Sequence, residues 1–152
     1  PAEYRTGNSQ TSDSYRHRMN HGCVNKLGEV EDFKHFMVSD GSLLLPLDMT
    51  MTRQENVITL AWSDKRNSAS ALPSDIIHVM VIGTTRPDAL MLLHGTSATR
   101  AGGTASFTVQ AKEGETLHVY PFFGNVTNKA FSPNEYFLAP AKIKEPHKLL
   151  FP

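Results

Sequence analysis

Short runs in which apolar and polar residues alternate recur along most of this chain, separated by Gly, Pro, Asn and Asp. A period of two puts successive side chains on opposite faces of an extended backbone, so each run reads as a β-strand with one face indoors. Asn56 to Ser63 sets Ile58, Leu60 and Trp62 on one face. Asp75 to Ile82 sets Ile77, Val79 and Val81 opposite Ile76, His78, Met80 and Ile82, and a strand apolar on both faces is expected in the middle of a sheet. Thr104 to Ala111 turns Ala105, Phe107 and Val109 inward, and Thr116 to Phe123 alternates Leu117, Val119 and Phe123 with His118, Tyr120 and Phe122. Pro121 cannot donate to a ladder, which predicts a bulge or an exposed ladder side there.

Three weaker runs complete the set. Val38 to Leu47 holds Leu43, Leu45 and Leu47 on one face, which Met49 and Met51 extend, with Pro46 marking an edge or bulge. Ala89 to His94 is a short apolar run, and Asn134 to Ala139 supplies the last strand. Arg100-Ala101-Gly102-Gly103-Thr104 reads as a hairpin, since paired glycines accept positive φ. Ahead of the strands, Tyr15, Met19 and Cys23 fall at i, i+4 and i+8 after the N-cap types Ser12 and Asp13. That spacing predicts one short helix, roughly residues 13 to 25.

The order predicts an all-β protein, a seven-stranded antiparallel β-sandwich of fibronectin type III-like or immunoglobulin-like kind, with one short N-terminal helix. Trp62, the one tryptophan, is the expected anchor between the sheets, because a single sheet cannot cover an indole. Leu117 stands where such sandwiches often carry a corner tyrosine. Three regions follow: an N-terminal extension with the helix over 1–37, the sandwich over 38–142, and a tail over 143–152.

With 152 residues there is room for one core and its extensions. Fifteen basic residues balance fifteen acidic ones, and no basic run reaches five, so nucleic acid and anionic membrane are not expected partners. Apolar stretches such as Ile76 to Ile82 fall far short of the roughly 20 residues that cross a bilayer. Cys23 is the one cysteine, which rules out an intramolecular disulfide and leaves the compartment open. The polar start at Pro1-Ala2-Glu3 is expected to belong to a fragment, or to a mature chain whose leading part is missing.

Candidate chemistry is sparse. His17, His21 and Cys23 form H-x-x-x-H-x-C, which on a helix would align two histidines as metal ligands; no further ligand completes the set, and solvent-facing polar residues are the simpler reading. Ser42 has His35 and Asp40 nearby but no nucleophile elbow, and reads as the residue after a turn. His78, His118 and Tyr120 would share one sheet face, with a mixed solvent-facing surface as the plain expectation. Gly83-Thr84-Thr85-Arg86-Pro87 lacks phosphate-loop spacing. Asn125-Val126-Thr127 matches a glycosylation sequon and reads as a surface turn. Aromatics crowd the C-terminal strands, and Tyr120, Phe122 and Tyr136 are the candidate binding residues, a platform for sugar rings or a protein hot spot; at least half of that aromatic group is expected in the core.

Four segments in sequence, Val38-Ser39-Asp40-Gly41-Ser42-Leu43, Leu60-Ala61-Trp62-Ser63-Asp64, Ser97-Ala98-Thr99-Arg100-Ala101-Gly102-Gly103-Thr104 and Leu117-His118-Val119-Tyr120-Pro121-Phe122-Phe123, resemble a family from Gram-negative bacteria known as a domain of unknown function. The likeness spans about residues 15 to 139 and implies the C-terminal half of a longer protein with a basic, partly helical first half. Asp64-Lys65 departs from the Asp-Asn usual in the family after the tryptophan. The resemblance brings no activity with it. The expected function is a non-catalytic module for protein interaction or self-association, without catalytic residues, metal or cofactor; the alternative is a carbohydrate-binding module that uses exposed aromatics.

Overall fold

A computed structural model describes residue 20 and residues 22–64, 66–85, 91–93 and 96–141. Among them are seven strands, β1 Thr50–Gln54, β2 Val57–Ala61, β3 Ile76–Gly83, β4 Met91–Leu93, β5 Thr104–Thr108, β6 Leu117–Gly124 and β7 Phe137–Ala139. They form two antiparallel sheets in the orders β1-β2-β5 and β4-β3-β6-β7.

The alternation explains the main core. Ile58 and Leu60 from β2 and Ala105 from β5 meet Ile77, Val79 and Val81 from β3 and Leu117, Val119 and Phe123 from β6. Trp62, just past β2, stands edge-on to Phe123 with ring centroids 5.5 Å apart, and its indole N–H donates to the Arg100 carbonyl at 2.8 Å. The strand apolar on both faces, β3, lies between β4 and β6.

Its second apolar face is used as well. Residues 22–38 cross the outer side of the larger sheet, so Cys23, Val30, Phe36 and Val38 close a second core over Ile82, Tyr120 and Phe122. All eight residues of β6 are buried as a result. The face holding His78, His118 and Tyr120 is therefore an interior layer and not the expected solvent surface.

Other expectations need correction. Val38 to Leu47 is not a strand, because its amides are answered from several directions. Val38 and Ser39 donate to Asn134 Oδ1, Leu43 to the Phe131 carbonyl, Leu44 to the Ser70 carbonyl and Leu47 to Asp64 Oδ2. Leu47 consequently points outward, 82% exposed, and does not share a face with buried Leu43. The first strand is instead β1, joined to β2 by a tight turn with Glu55 at φ 56°.

The expected helix over 13 to 25 falls mostly outside the described residues. Its described end is turn and a bridge between Val24 and Val30, with no α-helix. Nor is 100–104 a hairpin: a 3-10 turn over Arg100–Gly102, with Gly103 at φ 77°, carries the chain from one sheet to the other.

Candidate functional site: the Tyr136 groove

Proline at 121 shapes a surface groove that one of the sequence candidates, Tyr136, lines. β6 runs in unbroken register with β3 through Val79↔Pro121, so no bulge forms. Its missing N–H faces β7 instead. The Glu135 amide donates to the Pro121 carbonyl at 2.9 Å, but the return bond cannot be made, and the ladder between β6 and β7 ends at Val119↔Phe137. The Glu135 carbonyl left over takes a bond from Asn134 Nδ2 at 2.9 Å. Asn134 Oδ1 meanwhile receives the amides of Val38 and Ser39, and Ser39 Oγ donates to the Ser132 carbonyl at 2.6 Å. One asparagine thus ties three backbone groups together and holds residues 133–136 opposite residues 34–39.

Between these segments lies an open groove of about 310 Å³, walled by Lys34 to Met37 and Ser39 on one side and Pro133 to Tyr136 on the other. That size is at the lower end of small-ligand sites. Asn20 braces the first wall, its side chain accepting from the Met37 amide at 2.6 Å and donating to the Met37 carbonyl at 2.8 Å.

Tyr136 links the groove to the inner layer. Its hydroxyl lies 2.8 Å from His118 Nδ1, and His118 Nε2 lies 3.1 Å from Thr84 Oγ1. Thr84 has one hydroxyl proton, given to the Thr116 carbonyl at 3.0 Å. It must therefore accept from His118 Nε2–H, which leaves Nδ1 bare to accept the Tyr136 proton. Phe33 stacks on the imidazole at 3.7 Å, and burial pushes the His118 pKa down to about 4. At neutral pH this histidine is uncharged with both nitrogens engaged, and Tyr136 offers a groove ligand an acceptor oxygen beside its ring. Burial raises the Tyr136 hydroxyl pKa, with the Asp32 charge adding to it.

The three aromatic candidates separate. Tyr136 lines the groove and is half-buried. Tyr120 is fully buried, with its hydroxyl donating to the Phe33 carbonyl at 2.9 Å, and burial lifts its pKa well above the ordinary phenol value. Phe122 is buried against His78 and Phe131. Neither Tyr120 nor Phe122 presents a face on which a sugar could stack.

The remaining described candidates are not brought together. His17 and His21 lie outside the described residues; Cys23 is buried in the second core, where burial raises its thiol pKa. No cluster of three His, Cys, Asp or Glu suited to a metal occurs among the described residues. His35 pairs with Asp32 at 2.9 Å, while Asp40 accepts from the Gly41 amide and Ser42 is exposed, so no triad assembles. Asn125 Oδ1 receives the Lys129 amide at 2.8 Å and closes a surface turn. No described helix is long and apolar enough to cross a membrane.

Two facing antiparallel sheets, a tryptophan between them and a second layer laid over the larger sheet define an all-β sandwich domain. The chain belongs to the family of unknown function DUF6266, which matches residues 24–134. No curated protein matches it. Among solved structures it is similar to the Clostridium perfringens spore cortex lytic enzyme SleM, at 10% identity and a TM-score of 0.38, over 66% of this chain and 28% of that one. A likeness at that level carries no inference about activity.

Proposed function

We propose that this chain is a non-catalytic β-sandwich module of a bacterial protein, of fibronectin type III or immunoglobulin class, whose work is protein interaction or self-assembly. Support for the class comes from the strand orders: β1-β2-β5 and β3-β6-β7 correspond to the A-B-E and C-F-G sets of such sandwiches, while β4 joins β3 where an immunoglobulin constant domain pairs its fourth strand with the fifth. The observation that carries the function is the outer edge of β5. It ends the smaller sheet without a partner among the described residues, and its sequence Thr104-Ala105-Ser106-Phe107-Thr108 has none of the charges or prolines that blunt edges elsewhere. Backbone groups exposed along such an edge are a means of binding another chain. Light scattering with crosslinking mass spectrometry on the full chain tests the reading. A mass above the monomer or a crosslinked protein is expected; a strict monomer with no partner overturns it.

A second reading, a carbohydrate-binding module, is favoured by one feature, the Tyr136 ring and hydroxyl beside the amide and carboxylate of Asn134 and Glu135 in the groove. Uniformly flat responses on a broad glycan array would remove it.

A further inference from the structure

The direction of each backbone group along β5 follows from two bonds that flank its ladder with β2. The Trp62 amide donates to the Gly103 carbonyl at 2.9 Å, and the Val109 amide to the Asn56 carbonyl at 2.8 Å. In an antiparallel pair the bonded positions alternate. Gly103, Ala105, Phe107 and Val109 therefore turn their backbone groups toward β2, while Thr104, Ser106 and Thr108 turn three N–H and three C=O groups toward the open edge.

We infer that a second copy of this chain pairs antiparallel on β5 about a two-fold axis at Ser106, joining two three-stranded sheets into one of six strands. The inference rests on the interaction reading above and names its partner. In that register Ser106 faces Ser106 of the second copy and Thr104 faces its Thr108. Every outward donor then meets an outward acceptor, giving six backbone hydrogen bonds.

Side chains agree with the same register. On the solvent face the new cross-strand pairs are Ser with Ser and Thr with Thr, and on the core side Ala105 meets Phe107, so no like charges oppose one another, as they would wherever a charged side chain lay on the axis. The hydroxyls are already ordered: Ser106 Oγ bonds Thr59 Oγ1 at 2.8 Å and Thr104 Oγ1 donates to the Leu60 carbonyl at 3.1 Å. Beyond the strand, 101–103 would run past 109–111, again without charge. At the next step Lys112 would meet Arg100, whose guanidinium is buried on Asp75.

The opposite edge is unlike this one. Arg53 on β1 reaches across to β7, with Nη1 donating to the carbonyls of Glu115 at 2.9 Å and Ala139 at 3.0 Å, and so closes that side. Of the two edges of the smaller sheet, β5 is the one left unpaired and uncharged among the described residues.

The test uses the full chain and three variants in sedimentation equilibrium, with unfolding midpoints as the control for folding. Ser106→Pro removes one outward N–H per copy and spares the β2 ladder, while Ser106→Lys and Ser106→Glu each place like charges on the axis. The wild type is expected to dimerise, and Ser106→Pro to weaken the dimer by about tenfold. Ser106→Lys and Ser106→Glu alone are expected to weaken it too, and their equimolar mixture to restore a dimer. A wild-type dimer indifferent to all three variants overturns the β5 route but leaves the interaction reading standing. A wild-type monomer at every concentration overturns the inference. Hydrogen exchange at Thr104, Ser106 and Thr108 then says whether another part of the same chain covers the edge or the edge is bare.

Discussion

Arg100 Nη2 lies 2.9 Å from Asp75 Oδ2 in a place where neither side chain is more than 3% exposed. The guanidinium rests 4.4 Å from the Phe123 ring centre, and the backbones are tied as well, the Arg100 amide donating to the Asp75 carbonyl at 2.8 Å. Removing one member leaves the other charge buried alone. Asp75→Asn and Arg100→Met are each expected to cost about 3 to 5 kcal/mol. The double variant Asp75→Leu/Arg100→Met should cost less than the two single losses added together, and urea unfolding of all three variants measures the difference.

Trp62 closes the same end of the core by edge contact with Phe123 and by its bond to the Arg100 carbonyl. Trp62→Ala opens a cavity there and is expected to cost about 3 to 5 kcal/mol, against a typical domain stability of about 5 to 15. Trp62→Phe keeps much of the packing and loses the N–H, so its midpoint should fall between wild type and Trp62→Ala in the same denaturant series. Equal midpoints for the two variants would mean that the hydrogen bond, and not packing, dominates at this site.

How much of this was visible beforehand depended on which force fixed each element. Ile58, Leu60, Ile77, Val79, Val81, Leu117, Val119 and Phe123 show a period of two, and that pattern identifies their strands and the core they share. Val38 to Leu47 has the same apolar density, yet its amides are held by Asn134, Phe131, Ser70 and Asp64, distant side chains and carbonyls that periodicity cannot report. The groove was partly legible. Pro121 marks the missing ladder bond in the sequence, whereas the double engagement of Asn134 exists only once residues 38 and 134 are adjacent. Tyr120 and Phe122 read as platform residues because a strand face carrying His118 and Tyr120 reads as solvent-exposed until residues 22–38 are laid across it.

That layer makes stability depend on pH. The folded pKa of His118, about 4, is below the ordinary histidine value of about 6.5, so the unfolded chain takes up the proton first. The stabilisation is fully present above about pH 6.5 and is lost as pH falls toward 4, by about 3 kcal/mol across the window. Burial lowers the His78 pKa in the same sense. The carboxylates of Asp48 and Asp64, held low by bonds from Ser63 and Leu47, act in the same direction but below the ordinary aspartate value. Unfolding free energies measured between pH 5 and 6.5 isolate the histidines. His118→Gln should flatten most of that slope, and an unchanged slope would assign it to the other histidines.

Gly41 tests how the groove wall is anchored. It sits at φ 151°, and a Cβ there would come within 2.1 Å of the Phe131 carbonyl oxygen, the same atom that accepts the Leu43 amide at 3.0 Å. A side chain must push residues 39–43 away from 131–132, which strains the backbone and breaks that bond together. Gly41→Ala is therefore expected to destabilise by more than about 1 kcal/mol, beyond the usual entropic effect of losing a glycine. The loss should be local. Amide exchange at Val38, Ser39 and Leu43 should speed up, while Ile77 to Ile82 on the interior strand keep their protection up to global unfolding. Matching acceleration in β3 would show that the 37–43 segment and the sandwich unfold as one unit, and that the second core contributes to the stability of the first.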